Sequence, residues 1–152
     1  MGSTNRTFSV SAKRRIGATP EAIAEVYCDD SRFLELHPDA VDHRDIVPLP
    51  NGGHSCTQEY EVGGRRVVQR CSSIEYEPPH RFVDEAVRED SRGRTVLTLA
   101  RNGTDTDAVL ELTVTVLVPS SRLQRALMRK QARTQIQAAL TRLDSMAATT
   151  RP

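Results

Sequence analysis

The longest regular pattern in the sequence predicts a helix near the end of the chain. After Pro119 neither glycine nor proline occurs before Pro152, and alanine, leucine, glutamine, methionine and arginine, which favour helix, fill most positions. Ser120 or Ser121 can cap the first free backbone N–H groups, so we expect a helix over residues 119–146. At 1.5 Å per residue it would be about 40 Å long, and it would need a broad surface to lie on.

The two halves of this predicted helix differ in character. In the second half Ile136, Leu140 and Leu143 widen the apolar face, which indicates that this half packs on a core. In the first half apolar residues share the face with glutamines, which indicates that it covers a wetter space: Leu127, Met128, Gln131 and Gln135. The opposite side of the first half carries four arginines, which we call the arginine stripe: Arg122, Arg125, Arg129 and Arg133.

The pattern upstream of the helix predicts mainly strands. Phe8, Val10 and Ala12 alternate with polar residues, as in a half-buried strand. A threonine followed by proline at 19–20 begins a short helix, and a second helical piece covers 31–36. Turn signals then divide the chain at 48–53, 63–64, 77–79, 90–93 and 102–103. We therefore expect an α+β architecture in which an antiparallel sheet of about seven strands curves around the long helix.

One predicted hairpin carries an unusual set of polar residues. A two-residue turn at Gly63-Gly64 fixes the register, so that Cys56 opposes Cys71, and Gln58 opposes Gln69. The other face of the hairpin holds complementary charges and belongs in water, so this face should point inward. A buried polar group without a partner costs roughly 1–3 kcal/mol. The face therefore either lines a solvated or ligand-filled cavity, or forms hydrogen bonds between its own strands.

Composition narrows the class of protein. A chain of 152 residues, 38% of them apolar, suits one domain with a core, so we expect a single domain over 1–152 with flexible tails at 1–6 and 148–152. The 21 basic and 20 acidic residues nearly cancel, which argues against nucleic acid as a partner. No apolar run approaches the ~18 residues needed to cross a bilayer, and the polar first residues do not form a signal peptide. Three cysteines without framework spacing favour a cytoplasmic protein with reduced thiols.

Three short sequence motifs occur within this predicted order of strands and helices: IGATPEA at 16–22, LHP at 36–38 and YEPPHRF at 76–82. Together they resemble the START-like, helix-grip (SRPBCC) superfamily, in its polyketide cyclase/dehydrase and lipid-transport branch. The resemblance covers about residues 7–147 and implies the helix-grip fold. In the family Leu36 is usually tryptophan, and this chain has no tryptophan at all, so we expect an enlarged or reshaped pocket entrance.

The resemblance also implies a function. Family members bind hydrophobic or polyketide-like ligands between the sheet and the long helix, and some catalyse aldol-type cyclisation and dehydration there. Because no residue is shared by all of these catalysts, the fold alone does not establish an enzyme. We expect metal-independent cyclase or aromatase chemistry on a polyketide-like molecule, without an organic cofactor. The alternative is a non-catalytic carrier or sensor of a hydrophobic ligand or lipid; either would be a monomer or a homodimer.

Polar residues of the inward hairpin face are the candidate catalytic set. Tyr60 or His54 could move a proton of a poly-β-ketone while Gln58 and Gln69 hold carbonyl oxygens as enolate charge develops. In the plainer interpretation Tyr60 packs on Val67 with its hydroxyl at the rim, and His54 lies at a loop edge. Other residues expected to contact the ligand are Cys56, Cys71, Val67, Tyr27, Glu85, Leu127, Met128, Gln131 and Gln135.

Two further groups have more than one interpretation. Cys56, Cys71 and His54 would allow a metal site or a cross-strand disulfide, but packed reduced thiols suit the spacing better, so no metal is predicted. The arginine stripe could dock an acidic acyl carrier protein, a phosphate-bearing cofactor arm or an anionic membrane surface, or it could be a solvated helix face. Of these partners we retain the acyl carrier protein and expect no stable membrane insertion.

Overall fold

The computed structural model of the protein describes residues 6–149, which form seven strands, three α-helices and one 3₁₀ turn. The strands are β1 Thr7–Ile16, β2 Ala40–Pro48, β3 His54–Val62, β4 Arg65–Glu77, β5 Arg81–Val87, β6 Ser91–Asn102 and β7 Asp105–Val116. The helices are α1 Pro20–Tyr27, α2 Phe33–Leu36 and α3 Arg122–Thr149, and the 3₁₀ turn is Asp30–Arg32.

All seven strands form one antiparallel sheet in the order β1-β7-β6-β5-β4-β3-β2. The chain crosses from β1 at one edge to β2 at the other through α1 and α2, and every later strand pairs with its predecessor. Helix α3 returns across the sheet and packs against β1, β7 and α1. The expected α+β architecture is confirmed. The turn predicted at 90–93 lies earlier, at 88–90, because β5 ends at Val87 and β6 already begins at Ser91.

Helix α3 begins with a capping box. The Ser121 hydroxyl accepts a hydrogen bond from the Gln124 backbone N–H at 3.1 Å, and the Gln124 side-chain oxygen accepts one from the Ser121 backbone N–H at 2.7 Å. The helix therefore starts three residues after Pro119 and runs to Thr149, past the start of the predicted tail at 148. The other tail residues, 1–5 and 150–152, lie outside the described range, and the Arg6 carbonyl accepts a strand-type bond from Val116.

The core lies under the second half of α3, where Ile136, Leu140 and Leu143 are buried as predicted. Leu127 was expected on the same inner face, but its side chain is 53% exposed. The inner face of the first half passes instead through Met128 and the buried Ala132. Among residues 6–149, no helix is both long enough and apolar enough to span a membrane.

Candidate functional site

A cavity of about 310 Å³ lies between the middle of α3, from Met128 to Arg142, and the face of the sheet that this helix covers. Its walls are largely apolar: Phe8, Leu36, Leu110, Leu112, Val114, Ala132, Ile136 and Ala139. Five of the residues predicted to contact a ligand line it: Tyr60 and Gln69 from the hairpin, and Met128, Gln131 and Gln135 from α3. Its size lies near the lower end of the range for small-molecule sites.

The hairpin that supplies Tyr60 and Gln69 has the predicted register. Gly63 and Gly64 adopt positive φ angles of 57° and 79°, as a tight primed hairpin turn requires, and Cys56–Cys71, Gln58–Gln69 and Tyr60–Val67 are opposed. Gln58 and Gln69 are each only 8% exposed. The polar face is therefore inside the fold, and it satisfies itself across the strands while also lining the cavity.

The side chains on this face form one hydrogen-bond network, which we call the Gln58–Gln69 network. The Gln58 carbonyl oxygen accepts bonds from Gln69 Nε2 at 2.7 Å, from the Tyr60 hydroxyl at 3.2 Å and from the Cys71 thiol at 3.2 Å. The Gln58 amide nitrogen donates to Cys56 Sγ at 3.5 Å. Both ends of the Gln58 amide thus have partners.

Arg88 anchors this network, although sequence reasoning did not single it out. Its Nε donates to Gln69 Oε1 at 2.8 Å, and its guanidinium lies 5.7 Å from the centre of the Tyr60 ring. Because arginine can only donate, the Gln69 oxygen must face it, which turns the Gln69 nitrogen toward the Gln58 oxygen. Arg88 also lines the cavity. The positive charge of Arg88 therefore sets the direction of the hydrogen bonds in the network: Arg88 donates to Gln69, and Gln69 donates to Gln58.

The environment determines which of these groups carry protons at neutral pH. Burial raises the pKa of Tyr60 above its ordinary value, and nearby Arg88 offsets only part of this shift. The interaction between the two neighbouring thiols lowers the pKa of Cys56 and raises that of Cys71, and burial raises the pKa of Cys71 further. Tyr60 and Cys71 therefore keep their protons and act as hydrogen-bond donors. Of the two thiols Cys56 and Cys71, Cys56 is the one that loses its proton more readily.

His37 lines the cavity beside Leu36, which is 5% exposed and occupies the position where the resembled family usually has tryptophan. Burial, and after it the nearby charge of His43, lower the pKa of His37 to about 4. The imidazole of His37 is therefore neutral at pH 7. Sequence analysis used this histidine only as part of a fold motif.

Two predicted site residues lie in a second, smaller cavity of about 100 Å³, behind α1 and α2. The Tyr27 hydroxyl donates to Asp84 Oδ2 at 3.2 Å, and Nε2 of His54 lies 3.2 Å from Asp30 Oδ1. Burial raises the pKa of Asp84, and burial followed by the Asp84 charge raises that of Tyr27. His54 was expected to share a proton with Tyr60, but the two line different cavities.

The remaining predicted contacts are not among the residues that line the larger cavity: Gln58, Cys56, Cys71, Val67, Glu85 and Leu127. Cys56 is buried behind the network, Val67 is half-buried against Tyr60, and exposed Leu127 lies outside the cavity. Glu85 pairs with Ser72 and Arg94, on the sheet face opposite to the neighbouring Ala86, which does line the cavity. Sequence analysis could not determine the direction in which this strand faces.

His43 on β2 joins His54 and Cys56 in a compact cluster that the sequence did not reveal. One ligand atom of each lies within 4.8 Å of the others. Cys71, which sequence analysis paired with Cys56 and His54 as one candidate set, is not part of this cluster. All three cysteines are free thiols, and no disulfide forms between Cys56 and Cys71.

Comparison with solved structures identifies the architecture around these cavities. The chain superimposes on TTHA0849 from Thermus thermophilus with a TM-score of 0.82 at 18% identity, covering 95% of this chain and 99% of that one. A START superfamily protein from Mycobacterium smegmatis gives a TM-score of 0.80 at 14% identity, covering 94% and 99%. The chain has the helix-grip fold of START-like proteins.

An aromatase/cyclase, Zhui from Streptomyces sp. R1128, shares the helix-grip fold with a TM-score of 0.76 at 11% identity, covering 93% of this chain and 94% of that one. No family model matches the sequence, and no curated protein matches it. At these identities the likeness is one of fold, so the function has to be argued from the residues of this helix-grip cavity.

The arginine stripe is less free than the sequence implied. Arg125 is half-buried and donates to the Ser120 carbonyl at 2.5 Å, and Arg129 donates to the Ser9 carbonyl at 3.3 Å. Arg122 and Arg133 are exposed. Two members of the stripe thus fasten the start of the helix to neighbouring backbone, and two point toward solvent.

Proposed function

We propose that the helix-grip cavity binds a medium-sized, partly polar organic molecule with carbonyl groups, such as a polyketide-like chain, and promotes its aldol-type cyclisation and dehydration. The observation that carries the proposal is the position of Arg88. Among the described residues its side chain makes one hydrogen bond, from Nε to Gln69, so its remaining N–H groups are available in a largely apolar cavity. A positive donor in that setting suits an oxygen that becomes negative.

The other polar groups of the cavity have matching roles. Removal of a proton beside a ketone creates an enolate. His37 is neutral but a weak base, so it takes the proton only as Arg88 stabilises the developing charge on the enolate oxygen. The Tyr60 hydroxyl, kept protonated by its raised pKa, can donate a proton to the oxygen that leaves as water. The Gln58–Gln69 network holds Tyr60 and Arg88 in place, so both glutamines act as positioning residues.

Binding and catalysis need separate tests. For binding, benzoylacetone and butylbenzene are matched probes, because both carry a four-carbon chain on a phenyl ring and only one has carbonyl oxygens. We expect calorimetry to show tighter binding of benzoylacetone, with the difference reduced in Arg88→Met. Equal affinities for both probes would favour the alternative function, a carrier of apolar ligands, for which a cavity wall made mostly of hydrophobic side chains is sufficient.

For catalysis, a synthetic poly-β-keto thioester should be converted to aromatic products with a product ratio different from that of its spontaneous cyclisation. Tyr60→Phe removes the donated proton with little change in shape, and it should lower kcat by about 10²-fold or more, the usual contribution of a positioned acid. Val68→Ala, on the exposed outer face of the opposing strand, serves as the control. A product ratio identical to the spontaneous one would leave binding as the function.

We also propose that an acyl carrier protein delivers such a chain. The exposed Arg122 and Arg133 of the arginine stripe supply the positive charge for an acidic partner, close to the part of α3 that covers the cavity.

A further inference from the structure

Three metal-binding side chains meet behind the helix-grip cavity, at the side where β2 pairs with β3. His43 lies on β2, opposite Gln58, and His54 and Cys56 lie two residues apart on β3, on one face of the strand. Their ligand atoms all lie within 4.8 Å of one another. Around a tetrahedral zinc ion, with Zn–N near 2.0 and Zn–S near 2.3 Å, ligand atoms are roughly 3.5 Å apart, so closure requires shifts of only about 1 Å.

His43 is a buried polar side chain without a hydrogen-bond partner in the described part of the protein. Its side chain is 5% exposed, and neither ring nitrogen has a hydrogen-bond partner among residues 6–149. The ring stacks on Phe33, with centroids 4.1 Å apart, which accommodates its apolar faces but not its nitrogens. Leaving such a group without a partner costs roughly 1–3 kcal/mol. A bound cation would coordinate one of the two ring nitrogens and give it the partner that it lacks.

The Asp30 carboxylate lies close to both histidines on the open side of this cluster, but it is outside the group of ligand atoms that all lie within 4.8 Å of one another. Its Oδ1 lies 3.2 Å from Nε2 of His54 and 3.9 Å from Nε2 of His43, and the side chain is 35% exposed at the small cavity. A cysteine thiolate and a carboxylate together balance the two charges of a divalent ion, with neutral imidazoles as the remaining ligands. Nitrogen and sulfur ligands favour zinc over magnesium or calcium.

We propose that His43, His54 and Cys56, completed by Asp30, bind one Zn²⁺ ion. The ion would fasten the edge strand β2 and the 3₁₀ turn at Asp30–Arg32 to β3. The ion would also be linked to the Gln58–Gln69 network, because its ligand Cys56 accepts a hydrogen bond from Gln58 Nε2. This inference does not rest on the proposed catalysis: Arg88 and Tyr60 line the larger cavity, and His37, which lines both cavities, is not one of the proposed zinc ligands.

Metal titration of the full chain tests the proposal. After treatment with a chelator, the wild-type protein should bind one equivalent of Zn²⁺ with a dissociation constant of about 1 µM or lower, measured by competition with a chromophoric chelator. With Co²⁺ alone it should show a thiolate-to-cobalt charge-transfer band and the visible bands of a four-coordinate ion. Cys56→Ser should abolish the charge-transfer band.

Zinc affinities of single-residue variants then show whether these four side chains, and not neighbouring ones, bind the metal. Cys56→Ser and His43→Gln should each weaken zinc binding by about 100-fold or more, and Asp30→Asn by about 10-fold. Cys71→Ser is the matched control, since its thiol is directly opposite Cys56 yet outside the cluster, and it should change the affinity only a few-fold. Circular dichroism of each metal-free variant checks that it folds.

Two results would overturn the assignment. One is wild-type protein that takes up no stoichiometric zinc and shows no charge-transfer band with cobalt, a result that does not depend on any variant folding. The other is zinc binding that survives His43→Gln but is lost in Cys71→Ser, which would place the metal on the other side of β3. Loss of metal binding without loss of benzoylacetone binding would leave the proposed function intact.

Discussion

Replacing Arg88 by methionine should destabilise the protein measurably, although Arg88 lies at a cavity wall and not in the core. Methionine keeps most of the length of the side chain but donates no hydrogen bond. The Gln69 oxygen, 2.8 Å from Arg88 Nε and part of a side chain only 8% exposed, would lose its charged donor, at a cost of about 1–3 kcal/mol. Loss of the contact with the Tyr60 ring, at 5.7 Å, adds about 0.5–1 kcal/mol.

Urea unfolding followed by circular dichroism measures this change, and thermal unfolding should show Tm falling by about 2–4 °C for each kcal/mol lost. A double-mutant cycle with Gln69→Leu isolates the interaction. The double variant should lose at least about 1 kcal/mol less than the sum of the single variants, because each single change leaves an unpaired polar group in the other residue. The exposed Arg92 on β6 is the control, and Arg92→Met should stay within about 0.5 kcal/mol of wild type. Additive losses at Arg88 and Gln69 would refute the polarised network.

Three further outcomes are expected. Leu36→Trp restores the residue usual in the resembled family and should fill part of the cavity, so calorimetry should show weaker benzoylacetone binding; unchanged affinity would mean that the ligand does not reach Leu36. Because the folded-state pKa of His37 is lowered from 6.5 to about 4, the unfolded chain binds more protons between these values. The stability that His37 contributes is therefore complete above about pH 6.5 and lost as pH falls toward 4. For this half-buried ring the loss should be about 1–2 kcal/mol, and His37→Gln should flatten urea midpoints over that range, whereas an unchanged slope would contradict the burial of a neutral imidazole. Charge reversal at Arg122 and Arg133 should weaken binding of an acyl carrier protein at low salt by about 10-fold or more, and equal affinity of variant and wild type would remove the docking proposal.

Much of the fold could be predicted because local and global signals agree. The β3–β4 register followed from Gly63-Gly64, since a two-residue turn leaves one pairing that keeps the polar face inside. The start of α3 followed from a serine at the capping position, and Ser121 fills that role. These features depend on neighbouring residues, so sequence alone contains the necessary information.

The facing of β5 could not be read from its own sequence. The strand alternates regularly, with Phe82, Ala86 and, just after the strand, Arg88 on the inner side. Both faces of β5 carry charged residues, Asp84 on one and Glu85 on the other, so the pattern does not show which face is inside. Arg88 was therefore missed, and Glu85, which was expected to contact a ligand, lies on the face opposite to the cavity-lining Ala86.

The rotation of α3 and the position of His43 were likewise decided by tertiary contacts. Burial of Ile136, Leu140 and Leu143 in the core sets the rotation of α3, and in that rotation Leu127 is exposed. His43 lies in a strand whose pairing shifts twice, with Asp45 at a φ of 56°. Neither shift is visible in the sequence pattern, so His43 was not placed beside His54.

The most direct test of the central claim is an NMR titration that follows the side-chain amide signals of Gln58 and Gln69 while benzoylacetone is added. If the ligand occupies the helix-grip cavity at its polar end, the Gln69 amide signal should shift saturably, and butylbenzene at equal occupancy should shift it much less. Shifts confined to the exposed outer face of α3 around Leu123 and Leu127, with both glutamine amides unchanged, would contradict the account.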